Sequence, residues 1–287
     1  GNSRTPLYFL IASCGINIVL DILFILGLHL GVSGAALATV AAQLISAILC
    51  AIYIIKKYRI YMPEKKDWHL SKKLVLEMLS TGISMGLMSS VLAIGSIILQ
   101  KGINHLGKDI ITAHTASRRL FEFLMMPLQA VAVACSTFTG QNFGAKQFDR
   151  IRKAMKQVLW LELLWSVISV AIAFLYGNML IRMLTGTGNE NIILNAAYNL
   201  KVCTIFFFPL GILFVLRNAM QAMGYRIVPI LSSSIELVVK ILSCVFVIPV
   251  MKYTGVVLTE PVIWVMCAAF LGVIYLKTKK QKMVSIS

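Results

Sequence analysis

The chain has 287 residues, 59% of them hydrophobic and 13% charged, with a formal net charge of +16 and a mean hydropathy of +0.84. Soluble chains are about half apolar and about a quarter charged, so an ordinary soluble domain is excluded. Nucleic-acid binding is excluded as the reason for the charge. The Lys and Arg residues collect in short gaps between apolar runs, without interleaved aromatics, as topology determinants beside anionic lipid do.

Apolar runs of at least about 18 residues predict transmembrane helices. Eight follow in chain order: residues 6–28, 32–55, 78–100, 110–140, 156–181, 192–222, 227–250 and 255–276. Several exceed a minimal span, which implies tilt, kinks or interfacial extensions. Pro127 and Pro209 fall inside the fourth and sixth runs; each is expected to kink its helix and free a backbone carbonyl. The fold class is therefore an all-α polytopic membrane protein.

The loops alternate in charge. "KKYRIYMPEKKDWHLSKK" carries seven Lys/Arg, "KQFDRIRKAMK" five and the tail "KTKKQK" four, and Arg226 lies between runs six and seven. The intervening connections hold only His29, then Lys101 and Lys108, then Arg182, then Lys252. The positive-inside rule places the rich loops, residue 1 and the C-terminus in the cytoplasm of a plasma (inner) membrane. The six cysteines (Cys14, Cys50, Cys135, Cys203, Cys244 and Cys267) are scattered singly with no CxxC, and the four histidines are dispersed. Neither a disulfide framework, a metal site nor a cofactor is expected.

The chain also resembles itself. In "GNSRTPLYFLIASCGINIVLDILFI…GVSGAALA" and "GYRIVPILSSSIELVVKILSCVFVI…GVVLTEP", Gly precedes Pro by five residues, an apolar span follows, and Gly-Val opens the next span. Gly1 matches Gly224, Pro6 matches Pro229, and Gly31 matches Gly255 with one residue of slippage. Both copies start on the same side, so the repeat is parallel. It predicts residues 1–56 as the last two helices of an N-terminal six-helix lobe and 57–73 as a cytoplasmic linker. Residues 74–287 form a complete C-terminal six-helix lobe, with four further spans expected upstream of Gly1.

Three stretches, in order, resemble one family. They are the opening repeat with "GVSGAALATVAAQ", then "TAHTASRRLFEFLMMPLQAVAVACSTFTGQNFGAK", then "RNAMQAMGYRIVPI…GVVLTEP". The chain is similar to the last eight of the twelve helices of bacterial multidrug and toxic compound extrusion (MATE) transporters. The resemblance implies a proton- or sodium-coupled pump, monomeric when full length. Its two lobes alternate between inward- and outward-open forms and export amphipathic, often cationic small molecules. Its partners are membrane lipid and substrate, not nucleic acid.

One apolar run, "GINIVLDILFI", carries Asn17 and Asp21. Positions i and i+4 share a helix face, about 6 Å apart along the axis. An Asp in a span is costly unless it meets water, a proton, a cation or a partner, and a hard cation prefers such oxygens. By the resemblance, Asn17 and Asp21 match the family's cation-binding pair, Thr39 its helping hydroxyl and Ala35 its carbonyl donor. The remaining carboxylate belongs to the family's first helix. The competing structural reading is that Asn17 links helices by a hydrogen bond worth about 1 kcal/mol, with Asp21 neutralised in a buried network.

Other polar residues in the spans are candidates for a substrate cavity: Thr112, His114, Glu236, Lys240 and Glu260, with Met88 and Met125 as adaptable apolar lining. Glu236 and Lys240 are spaced as a helical ion pair, and so are Arg118 and Glu122. The repeat puts Lys240 where Asn17 stands and Cys244 where Asp21 stands, so the cation site is not duplicated. "GISMGLMSSVLAIGSIIL" has no acidic residue, and no second cation site is expected there. A lipid-linked oligosaccharide flippase of the same superfamily is the alternative, and would need free cations from Arg118, Arg119, Arg217 and Lys240. An intramembrane enzyme is not expected, on the reading that the chain offers no HExxH, no GxSxG and no close Asp pair on facing spans. The 287 residues alone are not expected to transport.

Overall fold

The structure is a computed structural model and describes residues 4–58, 62 and 71–284. Among the described residues every regular element is helical. Six helices are long and apolar enough to cross a membrane, or seven if one bent pair counts as a span. The exterior stays apolar, with Leu175 and Trp160 more than two-thirds exposed, as lipid rather than water requires. The chain divides into two compact units, Gly1–Val75 and Leu76–Ser287. Most of the linker expected at 57–73 lies outside the described residues.

The first unit is a helical hairpin of α1 (Arg4–Ile22) and α2 (Gly31–Lys57). Only Gly34, Ala38 and Ala42 of α2 are buried. They are spaced four apart, and such a small-residue stripe lets two helices approach closely in lipid. A Cβ on Gly34 would stand 3.1 Å from the Phe24 carbonyl oxygen. Across the seam the Ser13 hydroxyl donates to the Ala42 carbonyl at 2.9 Å, and Phe9 meets Tyr53 edge-on at 5.8 Å. A π-helical turn, Leu23–Gly27, ends the first span.

The second unit contains α3 (Lys72–Asn104) from Leu76 onward, α4 (Lys108–Gly144), α5 (Phe148–Thr185), α6 (Glu190–Ile205), α7 (Phe207–Ala222), α8 (Ile227–Leu242) and α9 (Ile248–Val284). The central helix, α4, packs against α5, α6 and α7. Its Phe121 stacks on Trp264 at 5.6 Å and meets Phe207 edge-on at 5.4 Å, tying α9 and α7 to one core. Leu128, Ala132, Leu210, Leu213 and Leu271 continue that core. Gly140, in the "GQNFGAK" element, lies on Ala222 at a Cβ distance of 3.5 Å. The Asn142 side-chain amide back-bonds within the last turns of α4, donating to the Phe138 carbonyl at 2.8 Å.

The two prolines behave differently. The helix runs on through Pro127, whereas the run predicted at 192–222 breaks at Phe206 and bends by 55°. Pro209 has no N–H to offer the Ile205 carbonyl, so the helix loses a bond just where it bends.

The predicted runs 227–250 and 255–276 form one long helical stretch, interrupted at Lys252 (φ 51°, ψ −130°). Cys267 Sγ lies 3.4 Å from the Ser232 carbonyl oxygen. Thirty-five residues of straight helix would separate those residues by about 52 Å, so the chain reverses at Lys252 and passes twice. The repeat also appears in detail: a second π-helical turn, Ser243–Val247, follows α8 as the first follows α1. A Cβ on Gly255 would stand 3.1 Å from the Val247 carbonyl oxygen, the same distance as one on Gly34 from that of Phe24, although the sequence repeat pairs Gly255 with Gly31.

Candidate ion and substrate sites

In the hairpin, Asn17 and Asp21 are half-buried on the face of α1 that meets α2. Asn17 Nδ2 and Asp21 Oδ1 are both buried without a hydrogen-bond partner. A donor and an acceptor one turn apart therefore leave each other unpaired. The antiparallel register set by Ser13 and Ala42 brings Asn17 level with Ala38 and Asp21 level with Gly34; Ala35 and Thr39 each follow that buried stripe by one residue, and Thr39 is exposed. There the Thr39 hydroxyl donates to the Ala35 carbonyl at 3.0 Å, so the hydroxyl oxygen and the carbonyl sit together. Asp21 immediately precedes the residue before the π-helical turn, a distortion frequent at functional sites.

The second unit holds two ionic clusters. In the first, Arg118 of α4 donates from Nη1 to both oxygens of Glu260 on α9, at 3.0 and 2.9 Å. Its Nε reaches Glu122 at 3.2 Å, so the predicted Arg118–Glu122 pair exists but is joined by a partner 142 residues away. The guanidinium stacks over Phe121 at 5.1 Å. His114, Asn199 and Cys203 complete a cavity of about 10 Å³ with Arg118 and Glu260. That is room for about one water, and His114 Nδ1 is buried there without a partner. Asn199 donates to the Ser117 hydroxyl at 3.0 Å alongside.

In the second cluster, Glu236 of α8 takes Lys240 Nζ at 3.0 Å and Arg217 Nη2 of α7 at 3.5 Å. Arg217 also donates to the Ser232 hydroxyl at 2.9 Å. Two deeply buried cations therefore share one carboxylate. A Cβ on Gly95 of α3 would stand 3.0 Å from Lys240 Cδ, so glycine makes room for the lysine stem.

The cavity candidates thus fall in separate places. His114 and Glu260 share the water-sized cavity, and Glu236 and Lys240 share the ion cluster. Thr112 is exposed and back-bonds to the Lys108 carbonyl; it lines an open groove of about 320 Å³ with Arg119 and Leu184. Met125 packs on the main core and accepts from Gln129, and Met88 is half-buried on α3. Larger grooves of about 720 and 880 Å³ flank α3, one beside Gly224–Ile230 and one beside Ile241–Lys252. Volumes of that size suit drug-like molecules.

Two features escaped the reading of the chain. "GISMG" (Gly82–Gly86) spells the hydrolase nucleophile pattern GxSxG. That chemistry needs a strand-to-helix elbow, whereas Ser84 lies mid-helix in α3 and donates to the Arg226 carbonyl at 3.0 Å. Glu162, in "WLELLW", is 1% exposed within α5. A single acidic residue in an apolar run was signal enough to find it.

The MatE family model matches residues 78–246, more than half of the chain. The chain is 25% identical over 232 residues to the probable multidrug resistance protein YoeA of Bacillus subtilis, covering 78% of this chain and 50% of that protein. It is 26% identical over 215 residues to the multidrug export protein MepA of Staphylococcus aureus, covering 75% and 47%. It thus spans about half the length of these curated relatives. A bent-form crystal structure of the Vibrio cholerae MATE transporter VcmN superposes with a TM-score of 0.83 at 19% identity, over 99% of this chain and 64% of that one. At that identity the likeness is one of fold.

Proposed function

The chain belongs to the MatE family, and we propose that its helices serve a cation-coupled multidrug antiporter of a bacterial plasma membrane. Residue 1 and the C-terminus face the cytoplasm, as the loop charges require. The coupling ion, a proton or sodium, binds between α1 and α2 at Asn17 and Asp21, with the Ala35 carbonyl and the Thr39 hydroxyl beside them. The observation that carries this reading is Asp21 Oδ1, a buried carboxylate oxygen with no hydrogen-bond partner; Asn17, one turn away, would join it through its amide oxygen. A structural role would pair the Asp21 oxygen, whereas an ion site leaves it available.

Ion binding there favours one lobe geometry over the other, and a substrate that prefers the second geometry is released when the ion returns. The substrates are small amphipathic molecules, consistent with the multidrug relatives. The flippase alternative asks for free buried cations, but Arg118, Arg217 and Lys240 are each held by a carboxylate.

The test is drug resistance in cells expressing the transporter that carries these helices. Asp21→Asn should abolish resistance at unchanged expression, and wild-type resistance in that variant would refute the site.

A further inference from the structure

Glu162 is the most completely buried acidic side chain among the described residues, and the ion site above does not involve it. It lies on the buried stripe of α5 with Ser166, Ser169, Ala173 and Gly177, at the helical spacing of one face. Both carboxyl oxygens are buried without a hydrogen-bond partner, and so is the Ser169 hydroxyl two turns on. Ser166 donates to the Glu162 backbone carbonyl at 2.7 Å, leaving the carboxyl group untouched.

The carboxyl group is pressed against α7. A Cβ on Gly211 would stand 2.5 Å from Glu162 Oε2 and 3.1 Å from its Cδ. Only the absence of a side chain at Gly211 admits Glu162 at all. Among the described residues no counter-charge accompanies it. The Cys135 thiol of α4, which lies within electrostatic reach, engages Met155 at 3.6 Å and Thr139 at 3.8 Å. Arg217 of α7 is held by Ser232 and Glu236 of α8. On α6, Cys203 is bonded to Asn199 and Lys201 sits over Phe174, far along α5.

An ionised carboxylate in that position is an uncompensated buried charge, among the costliest features a fold can hold. Some cation therefore accompanies it. A metal ion needs several oxygen ligands and the space to arrange them. Among the described residues no group of three His, Cys, Asp or Glu side chains comes together to hold one, and the contact with Gly211 leaves no gap. A proton needs neither.

We propose that Glu162 is a second proton-binding site, inside the second unit, whose occupancy keeps α5 seated on α7. Ionisation requires the two helices to part and admit water or a cation, so the proton couples to the packing of this unit. The assignment does not rest on the Asp21 reading, because it follows from α5 and α7 alone. Failure of one leaves the other standing.

Infrared difference spectroscopy of the purified chain in lipid vesicles tests it. At neutral pH, wild type should show a protonated-carboxyl C=O band that Glu162→Gln lacks, with the helical amide band unchanged. The band should resist deuterium exchange after exposed carboxyls have exchanged, and should survive added sodium. Identical carboxyl spectra in wild type and E162Q would overturn the proposal, as would immediate exchange. Loss of the band on adding sodium would replace the proton with a metal ion and equally overturn it. If E162Q does not fold, Glu162→Asp replaces it: the carboxyl is kept, so the band should shift rather than vanish, and a spectrum identical to wild type would overturn the proposal.

Discussion

Removing the Glu236 carboxylate with Glu236→Gln should destabilise the protein far more than removing one of its cations with Lys240→Met. The Arg217 and Lys240 side chains are 8% and 4% exposed, and Glu236 is 14% exposed. Breaking a buried pair by deleting one partner typically costs about 3–5 kcal/mol, because the other charge stays buried and uncompensated. In E236Q two cations are left in that state, so at least about 3–5 kcal/mol is expected in all. In K240M, Arg217 and Glu236 remain as a matched pair, Met fills the space against Gly95, and the cost should be under about 2 kcal/mol. The E236Q/K240M double variant should be less damaged than the two single losses summed, because it removes a charge of each sign. Denaturant unfolding of the detergent-solubilised chain, followed by tryptophan fluorescence, measures all three. E236Q as stable as wild type, or K240M worse than E236Q, would refute the reasoning.

Phe121→Ala removes a ring that is 4% exposed and stacked between Trp264 and Phe207; a loss of about 3–5 kcal/mol is expected in the same unfolding assay. Ser117→Ala leaves the buried Asn199 amide without its acceptor, at a cost of about 1–3 kcal/mol, again by denaturant titration. Gly34→Val puts a side chain against the Phe24 carbonyl, where even a Cβ would come to 3.1 Å. It should loosen the α1–α2 hairpin, read as faster amide hydrogen exchange in residues 13–24 with the second unit unaffected.

The helices were legible because lipid demands continuous apolar runs, and no competing packing pattern disguises them. The break at Phe206 was half legible: Pro209 marked a weak point, but Pro127 marked an equal one and its helix runs on. The difference lies in the neighbours, which no local pattern records. The π-helical turns after α1 and α8 carry no compositional mark, although the repeat predicted that the two stretches would match. The turn at Lys252 was placed correctly by charge and hydropathy, but its positive φ was not foreseeable in a non-glycine residue.

At the sites, Asn17 and Asp21 stood out because an amide and an acid are costly in lipid, and their shared face follows from helical spacing alone. Glu236 and Lys240 were paired for the same reason. Arg118 with Glu260, and Arg217 with Glu236, depend on which helices touch, so a single chain read end to end exposes only the Arg118–Glu122 half of that network. Glu162 has no basic residue three or four positions away to pair with, unlike Glu236 and Glu122. Its distinguishing feature is the lack of one.

The account's central claim is that Asp21 binds the ion that drives export. Its most direct test uses vesicles containing the transporter that carries these helices, loaded with a fluorescent amphipathic cation and subjected to an imposed proton or sodium gradient. The wild type should move the dye only when a gradient is present, and Asp21→Asn should remain at the rate of empty vesicles. Gradient-driven movement by D21N at the wild-type rate would contradict the account.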